Sequence, residues 1–388
     1  MANATKGILI ATGIFPPDIG GPASYAETLA ARLSKTEPTT VVTYSSVWSS
    51  AHDKDFDFKV VRVWSRWPKG IKHIIYLLKV IVQARNARLI FSLNAVSAGF
   101  PARLAARLVG CVFAVKIVGD SSWERAINTG KTSFMLNDFQ NSNRRGWPRF
   151  LHYMQFQICK GARMIIVPSE YLAGIVESWG IPAEKIKVIY NGVDFKASEL
   201  SKEEARKKLG LTGNILFSWG RMVPWKGFRM LIKLMTRLQE INSFFRLVIV
   251  GDGPDRKVLE TMVKNLGLDR KVALVGKKSH SEVADYLAAS DLVILNSGYE
   301  GFSHQILEAM TAGVPIIASA SGGNREVIHQ GENGFMVKYN DEFNIVEAIR
   351  TLWNNTEMCE HFAEEGWKTA KHFSADKMFK ETVALLTK

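Results

Sequence analysis

Short runs of β-branched and aliphatic residues alternate with stretches of helical periodicity along this 388-residue chain, and they do so twice over. Such alternation is the sequence form of a parallel sheet with crossover helices. The first half supplies seven candidate strands: KGILIATG, TTVVTYSS, FKVVRVWSR, ARLIFSL, VFAVKIVG, RMIIVPS and KIKVIYNGV. Between them, GPASYAETLAARLSK and VSAGFPARLAARLVG space their apolar residues for helices. The second half supplies NILFSWG, FRLVIVGDG, KVALVGK, DLVILNS, VPIIASA and NGFMVKY, then three helical segments from about 341 to 388. A chain this long exceeds one ordinary core and suits two α/β domains. The turn Asn191-Gly192-Val193-Asp194 and the charged stretch 196–208 mark the boundary. The expected division is 1–195, 196–373, and a last helix, 374–388, returning to the N-terminal domain. Residues 121–146 fit no regular pattern, and an insertion of that length reads as a functional or mobile loop.

The net charge of +13 is unevenly spread: residues 1–195 carry 24 Lys and Arg against 13 Asp and Glu, while 196–388 carry 26 against 24. The first half thus suits an anionic partner. A bilayer surface is one such partner, and Lys69-Gly70-Ile71-Lys72-His73-Ile74-Ile75-Tyr76-Leu77-Leu78-Lys79 is the candidate amphipathic segment. The alternative is a core-facing crossover helix with a basic rim. Nucleic acid is disfavoured, because the basic residues are not interleaved with a stacking platform or a helix-turn-helix. Cys111, Cys159 and Cys359 lie far apart, so neither a disulfide framework nor a zinc site is suggested. Residues 1–13 lack a leader's basic and apolar regions, and the longest apolar stretches are interrupted by Lys79, Pro101, Arg103 and Arg107. A cytoplasmic protein is expected, peripheral at the inner face of the cell membrane if the basic half docks there.

Three loops carry candidate chemistry. From Ser297 to Glu308 a strand end runs through a Gly-rich turn into a helix, where free N–H groups and the helix dipole point at anions. Glu300 in the loop is placed to reach sugar hydroxyls, and Glu308 on the helix to accept ribose hydroxyls. The second loop, Gly220-Arg221-Met222-Val223-Pro224-Trp225-Lys226-Gly227, sets two cations at a helix start. The dipole disfavours cations there, so a diphosphate is the natural counterpart. The third loop, Pro16 to Ala23, contains Gly20-Gly21, which lets backbone approach a phosphate. It lacks GxGxxG, and no GxxxxGK[ST] occurs. Asp53-Lys54-Asp55-Phe56-Asp57 contains Asp-x-Asp but precedes a strand in a polar stretch, and reads as a solvated loop rather than a metal site. The eight histidines form no triad-like arrangement.

Together the Gly-Gly loop, KIKVIYNGVD, the Gly-Arg…Lys element, VIVGDGPD, YEGFSHQILEAMTAGVPIIAS, GGNREVI and NGFMV resemble glycosyltransferase family 4, retaining nucleotide-sugar transferases of the GT-B fold. The resemblance implies two Rossmann-like domains facing a cleft, with the acceptor on the N-terminal one and the donor on the C-terminal one. It implies that Glu308 binds ribose and Glu300 the transferred sugar. Arg221 and Lys226 would hold the diphosphate, helped by Gly20, Gly21, Gly301, Phe302 and Ser303. The donor would be a UDP-, GDP- or ADP-sugar, with no metal or cofactor required, and the acceptor a sugar, glycolipid or lipid-linked glycan. Two departures stand out. Where the family often has a His after the fifth strand, this chain reads Lys116-Ile117-Val118-Gly119-Asp120, making Asp120 the substitute candidate; and His304-Gln305 replaces the usual Leu-Pro. Competing readings are a nucleotide-sugar epimerase or phosphorylase on the same fold, and a non-catalytic protein that docks on membrane.

Overall fold

The computed structural model describes residues 6–388. Residues 1–5, on which the expectation of no leader partly rests, lie outside them. The chain separates into two compact units: one holds the chain up to Thr132 with Asn137–Ile189 and Met378–Lys388, the other Ser133–Leu136 and Tyr190–Lys377.

In the first unit, strands β1 (Gly7–Thr12), β2 (Thr39–Ser45), β3 (Lys59–Trp64), β4 (Ala87–Ser92), β5 (Val112–Lys116), β6 (Met164–Val167) and β7 (Ile186–Val188) form one sheet. Its order is β3-β2-β1-β4-β5-β6-β7, all neighbours parallel. Every residue of β1 is buried, as a central strand covered on both faces requires. The helices are α1 (Gly21–Leu33), α2 (Lys69–Ala84), α3 (Gly99–Val109), α4 (Ser121–Asn128), α5 (Leu136–Gln140), α6 (Gly146–Gly161) and α7 (Glu170–Ser178). Two expectations are corrected here. The segment 121–146 contains α4 and α5, which are too short to show a periodicity. The strand read in KIKVIYNGV ends at Val188, and from Tyr190 onward the chain belongs to the second unit.

The second unit has β8 (Asn214–Trp219), β9 (Phe245–Val250), β10 (Val272–Gly276), β11 (Leu292–Leu295), β12 (Ile316–Ser319) and β13 (Phe335–Val337) in a parallel sheet ordered β10-β9-β8-β11-β12-β13. Its helices are α8 (Lys202–Leu209), α9 (Phe228–Ile241), α10 (Arg256–Asn265), α11 (His280–Ala289), α12 (His304–Thr311), α13 (Glu342–Trp353) and α14 (Thr356–Lys371). Successive strand residues point to opposite faces, so Leu247 and Ile249 enter a core with Leu231 and Met235, while Val248 and Val250 enter another with Leu287 and Ile306. Capping boxes start α8 (Ser201 with Glu204) and α11 (Ser279 with Glu282). The last helix, α15 (Ala375–Thr387), belongs from Met378 onward to the first unit, where Phe379 stacks on Tyr25 at 5.2 Å and Arg88 donates to the Leu386 carbonyl at 2.9 Å. Both sheets reverse strand order beside a central strand, β1 and β8 respectively, and ligands of doubly wound sheets bind beyond the strand ends at such points.

Candidate functional site

At the reversal point of the second unit, β8 ends in Trp219 and β11 runs into Asn296. The chain leaving β8 makes a tight turn over Pro224–Lys226 and re-enters a helix through Gly227. Gly227 has φ 66°, and a Cβ there would lie 2.0 Å from the Asn296 carbonyl oxygen, so only glycine brings this turn against the β11 loop. Asn296 fixes the junction: its Nδ2 donates to the Gly227 carbonyl at 3.3 Å and to Asn340 Oδ1 at 2.8 Å. Gly298 N–H donates to the Trp225 carbonyl at 2.6 Å.

These loops bring Lys226, Glu300, Gln305 and Glu308 together. Lys226 Nζ sits 2.5 Å from Glu300 Oε1 and also donates to Gln305 Oε1. The other end of the Gln305 amide donates to the Trp219 carbonyl. Gln305, a departure from the family pattern, thereby ties the ammonium to the end of β8. One helical turn on, Glu308 is buried, and its Oε2 accepts from Trp219 Nε1 at 3.2 Å. His280 Nδ1 lies 3.9 Å from Glu308 Oε1. Burial holds the Glu308 carboxyl above its usual range, against the opposing pull of His280, the Trp219 hydrogen bond and Lys226. Trp219 itself is set by stacking on Phe217 at 5.0 Å, which stacks in turn on Tyr286.

Beside Glu308 opens a pocket of about 230 Å³ whose wall includes Trp219, Gly251, Lys277, Lys278 and His280. Arg221 is exposed at the same strand end and has no ion-pair partner among the described residues. Ser303 caps α12 by position, yet its buried Oγ has no hydrogen-bond partner among the described residues, at a helix N-terminus where an anion is favoured. The Phe302 side chain is core, packed 5.3 Å from both Tyr190 and Phe373 rings, so only its backbone is available to a ligand. Chemically the cluster offers a carboxylate for vicinal hydroxyls, two cations and a helix N-terminus for phosphate, and a second carboxylate for a sugar.

The remaining candidates lie in the first unit. Gly20 stands just before α1 in extended backbone, and a Cβ on Gly21 would meet open space, so sterics alone do not require that pair. The loop is anchored from β3: Arg62 donates to the Pro16 carbonyl at 2.6 Å and, bidentately, to Asp53 at 2.6 and 2.8 Å. Asp53 is therefore the counter-ion of a buried guanidinium, which corrects the reading of 53–57 as merely a solvated loop. Asp120 is fully buried and caps α4, with Oδ1 accepting from the Ser122 and Trp123 N–H groups at 2.8 and 3.0 Å and Oδ2 accepting from Gln140 at 3.0 Å. Both carboxylate oxygens are thus engaged in holding the chain after β5. Trp219 and His280 had no signal in the sequence, because they meet Glu308 only through the tertiary fold, whereas Gln305 stood out as a departure from the family pattern without its link to Lys226 being readable.

Comparison with known proteins matches residues 19–197 to the family model for Glycosyltransferase Family 4 and residues 201–369 to that for glycosyl transferases group 1. An uncharacterized glycosyltransferase of Methanocaldococcus jannaschii is 29% identical over 60% of this chain and 62% of its own length. An N-acetyl-alpha-D-glucosaminyl L-malate synthase of Bacillus anthracis is 28% identical over 51% of this chain and 52% of its own. The chain thus spans less than two thirds of the length of these curated relatives. Among solved structures, Anabaena HepE in complex with UDP superposes with a TM-score of 0.79 at 22% identity, covering 98% of this chain and 99% of that one.

Proposed function

Because the chain belongs to the glycosyltransferases, Family 4 in its N-terminal half and group 1 in its C-terminal half, we propose that it moves a hexose-type sugar from a nucleoside-diphosphate sugar to a glycan, lipid-linked or small-molecule acceptor, with retention and without a metal. The observation that carries this is the cluster at the reversal point of the second unit: buried Glu308 beside a pocket, and Lys226 held between Glu300 and Gln305 at the N-terminus of α12. Glu308 accepts the ribose hydroxyls. Arg221, Lys226 and the first turn of α12 meet the diphosphate, and Glu300, released from Lys226 by it, takes hydroxyls of the sugar.

In the reaction the bond from the anomeric carbon to the leaving phosphate oxygen breaks. A bond to the acceptor oxygen forms on the same face, and the acceptor's proton passes to the departing phosphate. No side chain has to act as a strong base; the protein's contribution is position and charge. The Asp120 carboxylate, capping α4, orients the loop after β5 in place of the family's His.

The test incubates the protein with UDP-, GDP- and ADP-hexoses and a panel of sugar and lipid-linked acceptors, following release of the nucleoside diphosphate and the product anomer by NMR. UDP donors come first, since HepE was solved with UDP. Acceptor-dependent release with retained configuration, undiminished by EDTA, is expected. Conversion of the donor without any acceptor, an inverted product, or loss in EDTA restored by a divalent ion contradicts the proposal.

A further inference from the structure

Helices α2, α3 and α6 contain no Asp or Glu in their 16, 11 and 16 residues. The crossovers they make, β3 to β4, β4 to β5 and β5 to β6, all step the same way along the sheet. Right-handed connections therefore set all three helices on one side of it. There α3 packs against both α2 and α6.

The core-facing stripe of α2 is Tyr76, Val80 and Ala84, all buried. On the opposite side of the same helix Ile71, Ile74, Leu78 and Val82 stand exposed, Ile74 by 60% and Leu78 by 56%. A helix that is apolar on both sides presents a surface that its own core does not explain. The neighbouring helices repeat the pattern. On α6, Trp147 and Phe150 are exposed with rings 5.1 Å apart, and Tyr153 is exposed one turn on; α3 adds Phe100 and Leu108. At the head of α2, exposed Trp48 stacks on Trp64 at 4.9 Å, with Trp67 edge-on to both.

The polar residues around these positions are cationic. Arg85, Arg107, Arg145, Arg149 and Lys160 are exposed and stand in no ion pair among the described residues, whereas Arg62 and Arg88 of the same unit are each paired with a carboxylate. Aromatic and aliphatic side chains ringed by unpaired cations, with no acid among them, complement an anionic lipid interface. No helix among the described residues is long and apolar enough to cross a membrane, so the fit is to lying on a bilayer.

We propose that the α2–α3–α6 face seats the first unit on anionic bilayers, with Ile71, Ile74, Leu78 and Val82 among the lipid chains and the arginines at the headgroups. This does not rest on the transferase reading. The full chain is sedimented with vesicles of phosphatidylcholine alone or mixed with phosphatidylglycerol, at low and high salt. Binding to the anionic vesicles only, weakened by salt, is expected. Ile74→Glu with Leu78→Glu should reduce partitioning about tenfold or more, and Arg107→Gln or Arg149→Gln about fivefold each. All these positions are exposed, so melting temperatures should stay unchanged and separate lost docking from lost folding. Equal binding to neutral and anionic vesicles, or none to either, overturns the proposal. A wild-type dimer that Ile74→Glu with Leu78→Glu dissociates, without vesicle binding, assigns the face to a second copy instead.

Discussion

Glu308 lines the pocket, and Lys226 is tied by hydrogen bond to Gln305 one helical turn before it, yet the two are expected to fail differently. The ribose contact is equally strong in ground and transition states, and charged hydrogen bonds are worth about 1.5–3 kcal/mol. Glu308→Ala should therefore raise the donor KM roughly ten- to hundredfold and spare kcat. Arg221→Ala and Lys226→Ala remove charge that meets the departing diphosphate, and should lower kcat by on the order of 10²-fold. Steady-state kinetics with varied donor separates the two; a loss of turnover in Glu308→Ala at unchanged KM contradicts the assignment. Glu308 also carries a pH signature. Its carboxyl is raised above the ordinary 4.5 chiefly by burial, so its contribution to stability is present below the unfolded value and lost as pH rises through the folded one. Glu308→Gln is accordingly expected to gain melting temperature at neutral pH relative to wild type and to lose that advantage in acid. A pH-independent difference speaks against a strained carboxylate.

At the scale of elements, two aspartates hold the loops of the first unit. Asp120 caps α4 and binds Gln140. Asp120→Ala should cost about 0.5–2 kcal/mol in chemical denaturation from the lost cap. Asp120→Asn, which retains an acceptor oxygen for the cap, should cost less, and near-normal transfer by the Asn variant would assign Asp120 a positioning role only. The Asp53–Arg62 pair is buried on the arginine side, so Asp53→Ala leaves an uncompensated guanidinium and should cost about 3–5 kcal/mol. Unchanged stability in that variant contradicts the clamp. These two elements also mark what the sequence could carry. The strand–turn–helix syntax placing Glu300, Glu308, Arg221 and Lys226 is local, with each loop opening directly into a helix, and it was legible. The links from Trp219 to Glu308, from Gln305 to Lys226 and from Asp53 to Arg62 join residues of different strands and loops, and no periodicity encodes them. Helices α4 and α5 were missed because eight and five residues are too short to display a face.

At the scale of the molecule, the thirteen strands among the described residues fall into two parallel sheets, each reversing order at one central strand. This follows from the alternation of apolar runs and helical stretches. The last helix crosses back into the first unit's core through Phe379. The charge asymmetry, general in the sequence, resolves into one acid-free helical face. All of this is scaffold for the claim that the reversal point of the second sheet holds a nucleoside diphosphate. The most direct measurement is a melting-temperature titration of wild type and Glu308→Ala with UDP, GDP and ADP. At a hundred times its Kd, the right nucleotide should stabilise the wild type by about 2.7 kcal/mol, and the variant markedly less at the same concentration. No stabilisation by any of the three, or an equal gain in both proteins, contradicts the site.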